Sequence, residues 1–182
     1  MPSTHFQRHE GPSASLAPQF LQQLRAFLEQ AFDGEFSEDD WAHTLGGTHV
    51  WLTLPSGELA SHGSLVERTV RAGQQVLRVG YLEGLATAPP LQRRGLGSVV
   101  LRRLGELIRE RHDLGLLSTG SHAFYERAGW QRWRGRTGVD GPDGFAWTPE
   151  DDDSVMVLIT PASPALDLGG ELVADWRAGD VW

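Results

Sequence analysis

The strongest constraint on the fold is the run Gln92-Arg93-Arg94-Gly95-Leu96-Gly97, which lies between a strand pattern and a helix pattern. Residues 76–87 read as a strand. From Gly95 to about Arg111, Val99, Leu101, Leu104, Leu107 and Ile108 fall on one helical stripe, and arginines fill the other faces. The first amides of a helix lack intrahelical partners and carry partial positive charge. Two glycines let an anion approach that backbone closely, and Arg93 and Arg94 add charge. The junction is an anion cradle suited to a nucleotide diphosphate. Other glycine-rich loops fit less well. A dinucleotide fold wants a third glycine and an acid after a second strand, and a Walker loop wants Gly-Lys-Ser/Thr. The chain contains no lysine.

Residues 1–15 are polar, with Pro, Ser and Gly, and are expected to form a loose arm. Pro18 opens a predicted helix to about Phe32, with Phe20, Leu24, Phe27, Leu28 and Ala31 on its buried face. Asp33-Gly34 stops it. Ser37 reads as an N-cap with an acid at the third helical position, Asp40, so a short helix should run through Trp41 to Leu45. Strands are predicted over 49–54, 59–66, 114–117, 130–133 and 155–159, with a turn near Ala72-Gly73. Residues 123–128 read as a short helix ended by Gly129. Residues 135–153 are rich in Gly, Pro and Asp and are expected to be one long loop. The order predicts a single α/β (α+β) domain spanning 1–182, a central, mostly antiparallel mixed sheet flanked by helices.

Composition narrows the function. With 40% apolar residues over 182 positions, the chain can bury a core. No stretch approaches a membrane span, and no basic-then-apolar leader opens the chain, so no membrane partner and a bacterial cytoplasmic location are expected. The absence of cysteine excludes disulfides, thiolate metal sites and a cysteine nucleophile. The seven histidines show no metal-ligand spacing, so no metal is expected, and no Gly-x-Ser-x-Gly elbow is present. A net charge of −8 argues against nucleic acid. That charge is uneven: residues 93–136 hold ten arginines against four acids, and the remainder is strongly acidic. Such a split fits two partners of opposite charge.

The 92–97 run resembles the Gln/Arg-x-x-Gly-x-Gly/Ala pyrophosphate loop of the acetyl-CoA-dependent N-acetyltransferase (GNAT) superfamily. Phe124-Tyr125-Glu126-Arg127-Ala128-Gly129-Trp130 resembles a second motif of that superfamily. A narrower resemblance covers nearly the whole chain. Ala31 to Phe36, Asp40-Trp41, His43 to Gly47, Gly80 to Gly84, Leu114-Gly115 with Leu117-Ser118, and Asp175 to Trp182 look like the aminoglycoside 2′-N-acetyltransferases.

The resemblance implies a GNAT fold that binds acetyl-CoA through Leu85, Ala86 and Thr87, which pair with pantetheine like an added strand, and through Gln92 to Ser98 (Gln92, Arg93, Arg94, Gly95, Leu96, Gly97, Ser98) around the pyrophosphate. It also implies an oxyanion-type role for a backbone N–H near Leu85. Glu83 stands two residues earlier in an otherwise apolar strand, and is read as the base, acting through a water, or else as a salt-bridged strand residue. Tyr125 is the candidate acid: a phenol near pKa 10 is close enough to a thiol near 8.5 for useful proton transfer. The alternative for Tyr125 is a packed aromatic.

The acceptor has to account for the acids. Asp33, Glu35, Glu38, Asp39 and Asp40 lie within eight residues, Glu150 to Asp153 are four acids in a row, and Asp180 lies near Trp182. Carboxylates partner ammonium groups, and a Trp face shields charge or stacks on sugar. The resemblance selects Glu35, Asp40, Ser118 (through its carbonyl), Asp152, Asp153, Asp180 and Trp182 as substrate contacts. Most relatives carry Asp where this chain has Glu35. The extra methylene changes which amine pattern is held, so the resemblance admits a smaller member such as kasugamycin. The expected reaction acetylates the 2′-amine of a cationic aminoglycoside by direct attack, in an enzyme expected to dimerise. Acetylation of another polyamine or small amine, or a non-catalytic acyl-CoA sensor on the same fold, stays open.

Overall fold

The computed structural model describes residues 5–182. They resolve into two compact units: the first comprises 5–66 with 82–104, the second 67–81 with 105–182.

In the first unit, β1 (Gln7–Pro12) pairs antiparallel with β2 (Thr48–Thr53), which pairs antiparallel with the first half of β3 (Leu59–Ala72). The second half of β4 (Gln75–Thr87) lies beside β3. The loose arm expected over 1–15 is therefore corrected from Gln7 on. Its polar residues pair as an edge strand because β2 presents an open ladder, and His9 stacks on Trp51 with ring centroids 5.3 Å apart. Residues 1–4 lie outside the described residues. Helix α1 (Pro18–Ala31) opens on proline as predicted and buries Leu24 and Leu28. Asp33 at φ 55 and Gly34 at φ 82 stop it. Helix α2 (Glu38–Thr44) carries the predicted capping box: the Ser37 hydroxyl accepts from the Asp40 N–H, and the Asp40 carboxylate accepts from the Ser37 N–H. At Gly47 a Cβ would sit 1.9 Å from the Leu65 carbonyl oxygen, so only glycine lets the chain enter β2 there.

Helix α3 (Leu96–Arg111) follows the predicted stripe with one correction. Val100, fully buried, takes the place expected for Val99, which is half-exposed; the row is Val100, Leu101, Leu104, Leu107, Ile108. The i, i+1, i+4, i+7, i+8 spacing keeps these side chains within one stripe.

In the second unit the strand order is β6-β9-β5-β4-β3-β10-β7-β8, with β5 (Leu114–Ser118), β6 (Gln131–Arg132), β7 (Thr137–Gly141), β8 (Gly144–Trp147), β9 (Val155–Ile159) and β10 (Leu172–Asp175). Pairs β4–β5 and β10–β7 are parallel; β5–β9, β6–β9, β7–β8 and β10–β3 are antiparallel. The expected mixed, mostly antiparallel sheet is present. The long loop expected over 135–153 is corrected: it holds the β7–β8 hairpin, whose turn has Gly144 at φ 105. Strand β10 escaped the sequence reading. It is a four-residue strand, and Leu172, Val173 and Ala174 are all buried because it has neighbours on both sides. Helix α4 (His122–Glu126) is one short turn ended at Gly129, φ 89. No helix is long and apolar enough to cross a membrane, and among the described residues no group of three His, Cys, Asp or Glu could hold a metal ion.

Candidate functional site

The candidate cofactor residues follow one another in the first unit. Strand β4 is buried from Val79 to Leu82 and becomes half-exposed from Glu83 to Thr87. The change has a backbone cause. β4 pairs with β5 only at Val79, Gly80 and Tyr81, so beyond Tyr81 its far edge has no strand partner among the described residues. Gly84 kinks the strand with φ 55, and a Cβ there would meet Thr44 Cγ2 at 2.8 Å. Its carbonyl is turned to the β3 side, where His62 Nδ1 lies 2.9 Å away. In a trans peptide the carbonyl and the next N–H point in opposite directions. The Leu85 N–H therefore points away from His62.

After Thr87, one turn of 3-10 helix at Pro89–Leu91 leads to the glycine loop, and the Gln92 side chain donates to the Thr87 carbonyl at 3.3 Å. Arg93 at φ 60 and Gly95 at φ 81 are both left-handed. A non-glycine residue held there is strained, and such strain gathers where a loop is shaped for a ligand. Gly95 has open space around its would-be Cβ. Leu96, Gly97 and Ser98 begin α3, so their amides are the helix's unpaired donors. The loop fits an oligophosphate by donor chemistry: free amides, two adjacent guanidinium groups and no acid from Thr87 to Leu104.

Behind Gly84 lies a buried polar chain. His62 and His49 are fully buried and joined, His49 Nδ1 to His62 Nε2, at 2.9 Å. His49 Nε2 lies 2.6 Å from Ser13 Oγ, which also accepts from the Gly46 N–H. Burial pushes His49 down to about 4. Burial, followed by the neighbouring His49, pushes His62 down to about 3.

The acids nearby divide by what they already hold. Glu38 pairs with Arg25, and Asp40, expected on the substrate, is committed to the Ser37 cap. Glu35 is exposed; its N–H donates to the Phe32 carbonyl, and its carboxylate makes no hydrogen bond or ion pair among the described residues.

In the second unit Tyr125 is buried on α4, edge-on to Phe124 and Trp130. Burial pushes its phenol up to about 12. This corrects the expectation of a phenol near 10: full transfer of its proton to a thiolate becomes harder, while donation of a hydrogen bond at neutral pH is secured. Ser118, at the end of β5, donates its hydroxyl to Ser154.

Asp152 fastens β7, accepting from the Thr137 N–H at 2.8 Å and facing its hydroxyl at 2.9 Å. Asp151, absent from the expected set, lies among other carboxylates. Burial first, then Glu150 and Asp180, push its carboxyl up. Asp153 is exposed, and its carbonyl faces His122 Nε2 at 2.7 Å. Trp182 is 5% exposed, and its indole N–H donates to Thr148 Oγ1 at 3.0 Å. A ring so buried offers no face to a sugar; it anchors the tail.

That tail has a second anchor. Arg68 donates to the Asp175 carboxylate at 3.0 Å, to the Asp175 carbonyl at 2.8 Å and to the Val181 carbonyl at 2.6 Å, with its guanidinium 4.8 Å above the Tyr81 ring. Sequence reasoning missed Arg68, although a signal existed: it sits in the row Val66, Arg68, Val70, Ala72, every second residue of β3, all buried.

A family model for the acetyltransferase (GNAT) domain matches residues 14–133. An aminoglycoside 2′-N-acetyltransferase of Mycolicibacterium fortuitum is 38% identical over 162 residues, covering 87% of this chain and 83% of that protein. A GNAT family acetyltransferase from Brucella melitensis, solved in complex with acetyl-CoA, is 16% identical with a TM-score of 0.63, over 97% of this chain and 98% of that one. A GCN5-related N-acetyltransferase from Kribbella flavida is 15% identical with a TM-score of 0.59, over 73% of this chain; the chain spans 34% of its length. At these identities the solved structures establish the fold alone.

Proposed function

Because the chain belongs to the GNAT acetyltransferases, and within them to the aminoglycoside 2′-N-acetyltransferase family, we propose that it acetylates the 2′-amine of an aminoglycoside with acetyl-CoA. The observation that carries the reading is the 38% identity across nearly the whole chain, joined to an intact glycine loop at the start of α3. Acetyl-CoA supplies the acetyl thioester: its carbon–sulfur bond breaks, a carbon–nitrogen bond forms, and the proton lost by the amine balances the one gained by the thiolate. Gln92 to Ser98 hold the pyrophosphate with helix amides and the guanidinium groups of Arg93 and Arg94. Residues 85–87 offer strand hydrogen bonds to the pantetheine, and the Leu85 N–H polarises a carbonyl. Glu83 takes the proton from the amine, through a water. Tyr125 donates a hydrogen bond to the sulfur.

The acids serve the other substrate. Glu150, Asp151 and Asp180 form one negative field in the second unit, with the Asp151 carboxyl pushed up by its neighbours. Ammonium groups relieve that repulsion. Glu35 is an acid without a side-chain partner among the described residues and the position that departs from the family pattern, so the preferred aminoglycoside is one with fewer ammonium groups, such as kasugamycin.

Thiol release from acetyl-CoA, measured against gentamicin, kanamycin, tobramycin, kasugamycin and spermidine, tests the reading. Turnover on an aminoglycoside, with NMR placing the new acetyl group on the 2′-amine, is the expected result. Turnover on spermidine alone would discard the substrate class, and gentamicin or tobramycin preferred over kasugamycin would discard the role given to Glu35.

Tyr125 gives a separate check. Tyr125→Phe is expected to lower kcat about a hundredfold, the low end of acid–base contributions. Because its phenol is pushed up to about 12, wild-type rates should show no loss from phenol ionisation up to pH 10. An alkaline limb near pH 10 that disappears in Tyr125→Phe would contradict this.

A further inference from the structure

The hydrogen-bonded chain from Gly46 to Gly84, buried at its two histidines, takes its direction from the Gly84 end. The Gly84 carbonyl can only accept, so His62 Nδ1 must carry the proton between them. A neutral His62 then presents a bare Nε2, which can only accept, so His49 Nδ1 must carry the proton of the next link. His49 Nε2 is bare in turn and takes the Ser13 hydroxyl proton at 2.6 Å in preference to the Gly47 carbonyl, which lies 3.3 Å from the same oxygen; that hydroxyl itself accepts from the Gly46 N–H. Every donor points towards Gly84.

Burial supports this assignment. His62 and His49 have no measurable exposure, and burial holds both well below neutral pH, so neither carries a second proton. Packing also fixes the receiving peptide. Gly84 is left-handed at φ 55 with Thr44 Cγ2 closing the space where a side chain would be, so the peptide has little freedom to turn.

We propose that Ser13, His49 and His62 form a directional hydrogen-bond relay that holds and polarises the Gly84–Leu85 peptide, making the Leu85 N–H a fixed and strengthened donor. A hydrogen bond accepted at a peptide carbonyl withdraws charge through the amide and strengthens the donor on its nitrogen, and successive links polarise one another. His62 is thus a positioning residue, acting through the backbone of β4. The inference rests on the reading above, in which Leu85 N–H polarises the acetyl carbonyl. It explains why two imidazoles are kept neutral in a first-unit core otherwise filled by Leu24, Leu28, Val50 and Leu104.

Two measurements on the full-length protein test it. The first needs no turnover: 15N NMR of the imidazoles should show His49 and His62 as neutral Nδ1–H tautomers at pH 7. An Nε2–H tautomer at His62 would overturn the relay. The second uses whichever amine of the panel the wild type acetylates. His62→Leu should lower kcat about 10- to 30-fold with the KM for acetyl-CoA within about twofold, and should move the Leu85 amide proton upfield. His62→Asn, whose amide nitrogen sits where Nδ1 does, should restore kcat to within about threefold of wild type. Equal impairment of the two variants, or an unimpaired, folded His62→Leu, would overturn the relay. If His62→Leu does not fold, Ser13→Ala removes the first link at the part-buried end, and should lower kcat about two- to threefold with KM unchanged; no change would count against the relay. Failure of the wild type on every amine would instead count against the acetyltransferase reading, and would leave the tautomer result standing.

Discussion

Glu83→Gln is expected to lower kcat by about a thousandfold, within the range of a positioned acid–base group, while leaving the KM for acetyl-CoA within a few-fold of wild type. Glutamine keeps the volume and the hydrogen-bonding length of the side chain but cannot take a proton. The backbone of β4 should be undisturbed, because the Glu83 carbonyl is engaged with Ser64 at 3.3 Å irrespective of the side chain. The pH dependence separates a base from a structural glutamate. An amine substrate loses its own proton to solvent as pH rises, so the defect of Glu83→Gln should shrink between pH 7 and pH 9.5. A pre-steady-state measurement of the acetyl-transfer step across that range checks it. A defect constant with pH, or one expressed wholly in KM, would remove Glu83 from the role of base.

Acid should weaken the fold well before most carboxylates titrate. His49 is pushed down to about 4 and His62 to about 3 by burial, whereas in the unfolded chain both bind a proton near 6.5. Between pH 6.5 and about 4 the unfolded state therefore holds more protons than the folded state. Stability then rises with pH and is lost as pH falls. Each histidine contributes a slope of about 1.4 kcal/mol per pH unit inside that window, so lowering pH from 7 to 5 costs about 4 kcal/mol for the pair. Against a total of about 5–15 kcal/mol for a typical domain, that is a large share. Urea unfolding at pH 7, 6 and 5 should show a steep fall in the midpoint, and His49→Asn should remove about half of the slope. A wild-type midpoint flat over this range would show that the imidazoles are not held neutral by burial.

The same two histidines mark where the sequence stops being legible. The glycine loop, the α1 and α3 stripes and the Ser37 cap could all be read because each is a local pattern, set by residues within about four positions of one another. His49 and His62 stand thirteen positions apart and meet only because β2 pairs with β3 so that Trp51 faces His62 and His49 faces Ser64. A one-residue slip would send them to opposite faces. No spacing rule encodes that register. The loop expected over 135–153 failed for a related reason. Gly, Pro and Asp spell a loop in the pattern, whereas Gly138 and Gly141 are strand residues closely approached by Phe145 and by the backbone of Gly144. β10 was invisible because four residues carry too little pattern, and its burial comes from neighbours distant in sequence.

The acids show the converse: residue type is legible, but what holds each one is not. Asp40 and Asp152 were legible as carboxylates, but their geometry is spent on an N-cap and on β7. Asp151 lies in the field of Asp180, a residue far from it in sequence that the fold brings near. Carboxylates in a run are therefore better judged by what already holds them than by their number.

The tail anchor carries an evolutionary consequence. All sixteen basic side chains of this protein are arginine. At exposed positions such as Arg102 or Arg109, a drift to lysine would change little, because water solvates either cation. At Arg68 the drift is closed. Its planar fork serves two backbone carbonyls and one carboxylate in different directions while its central carbon stays 4.8 Å from the Tyr81 ring centroid, and a single ammonium on a flexible stem cannot reach all of them. A uniform preference across the chain thus conceals one site where arginine is a requirement.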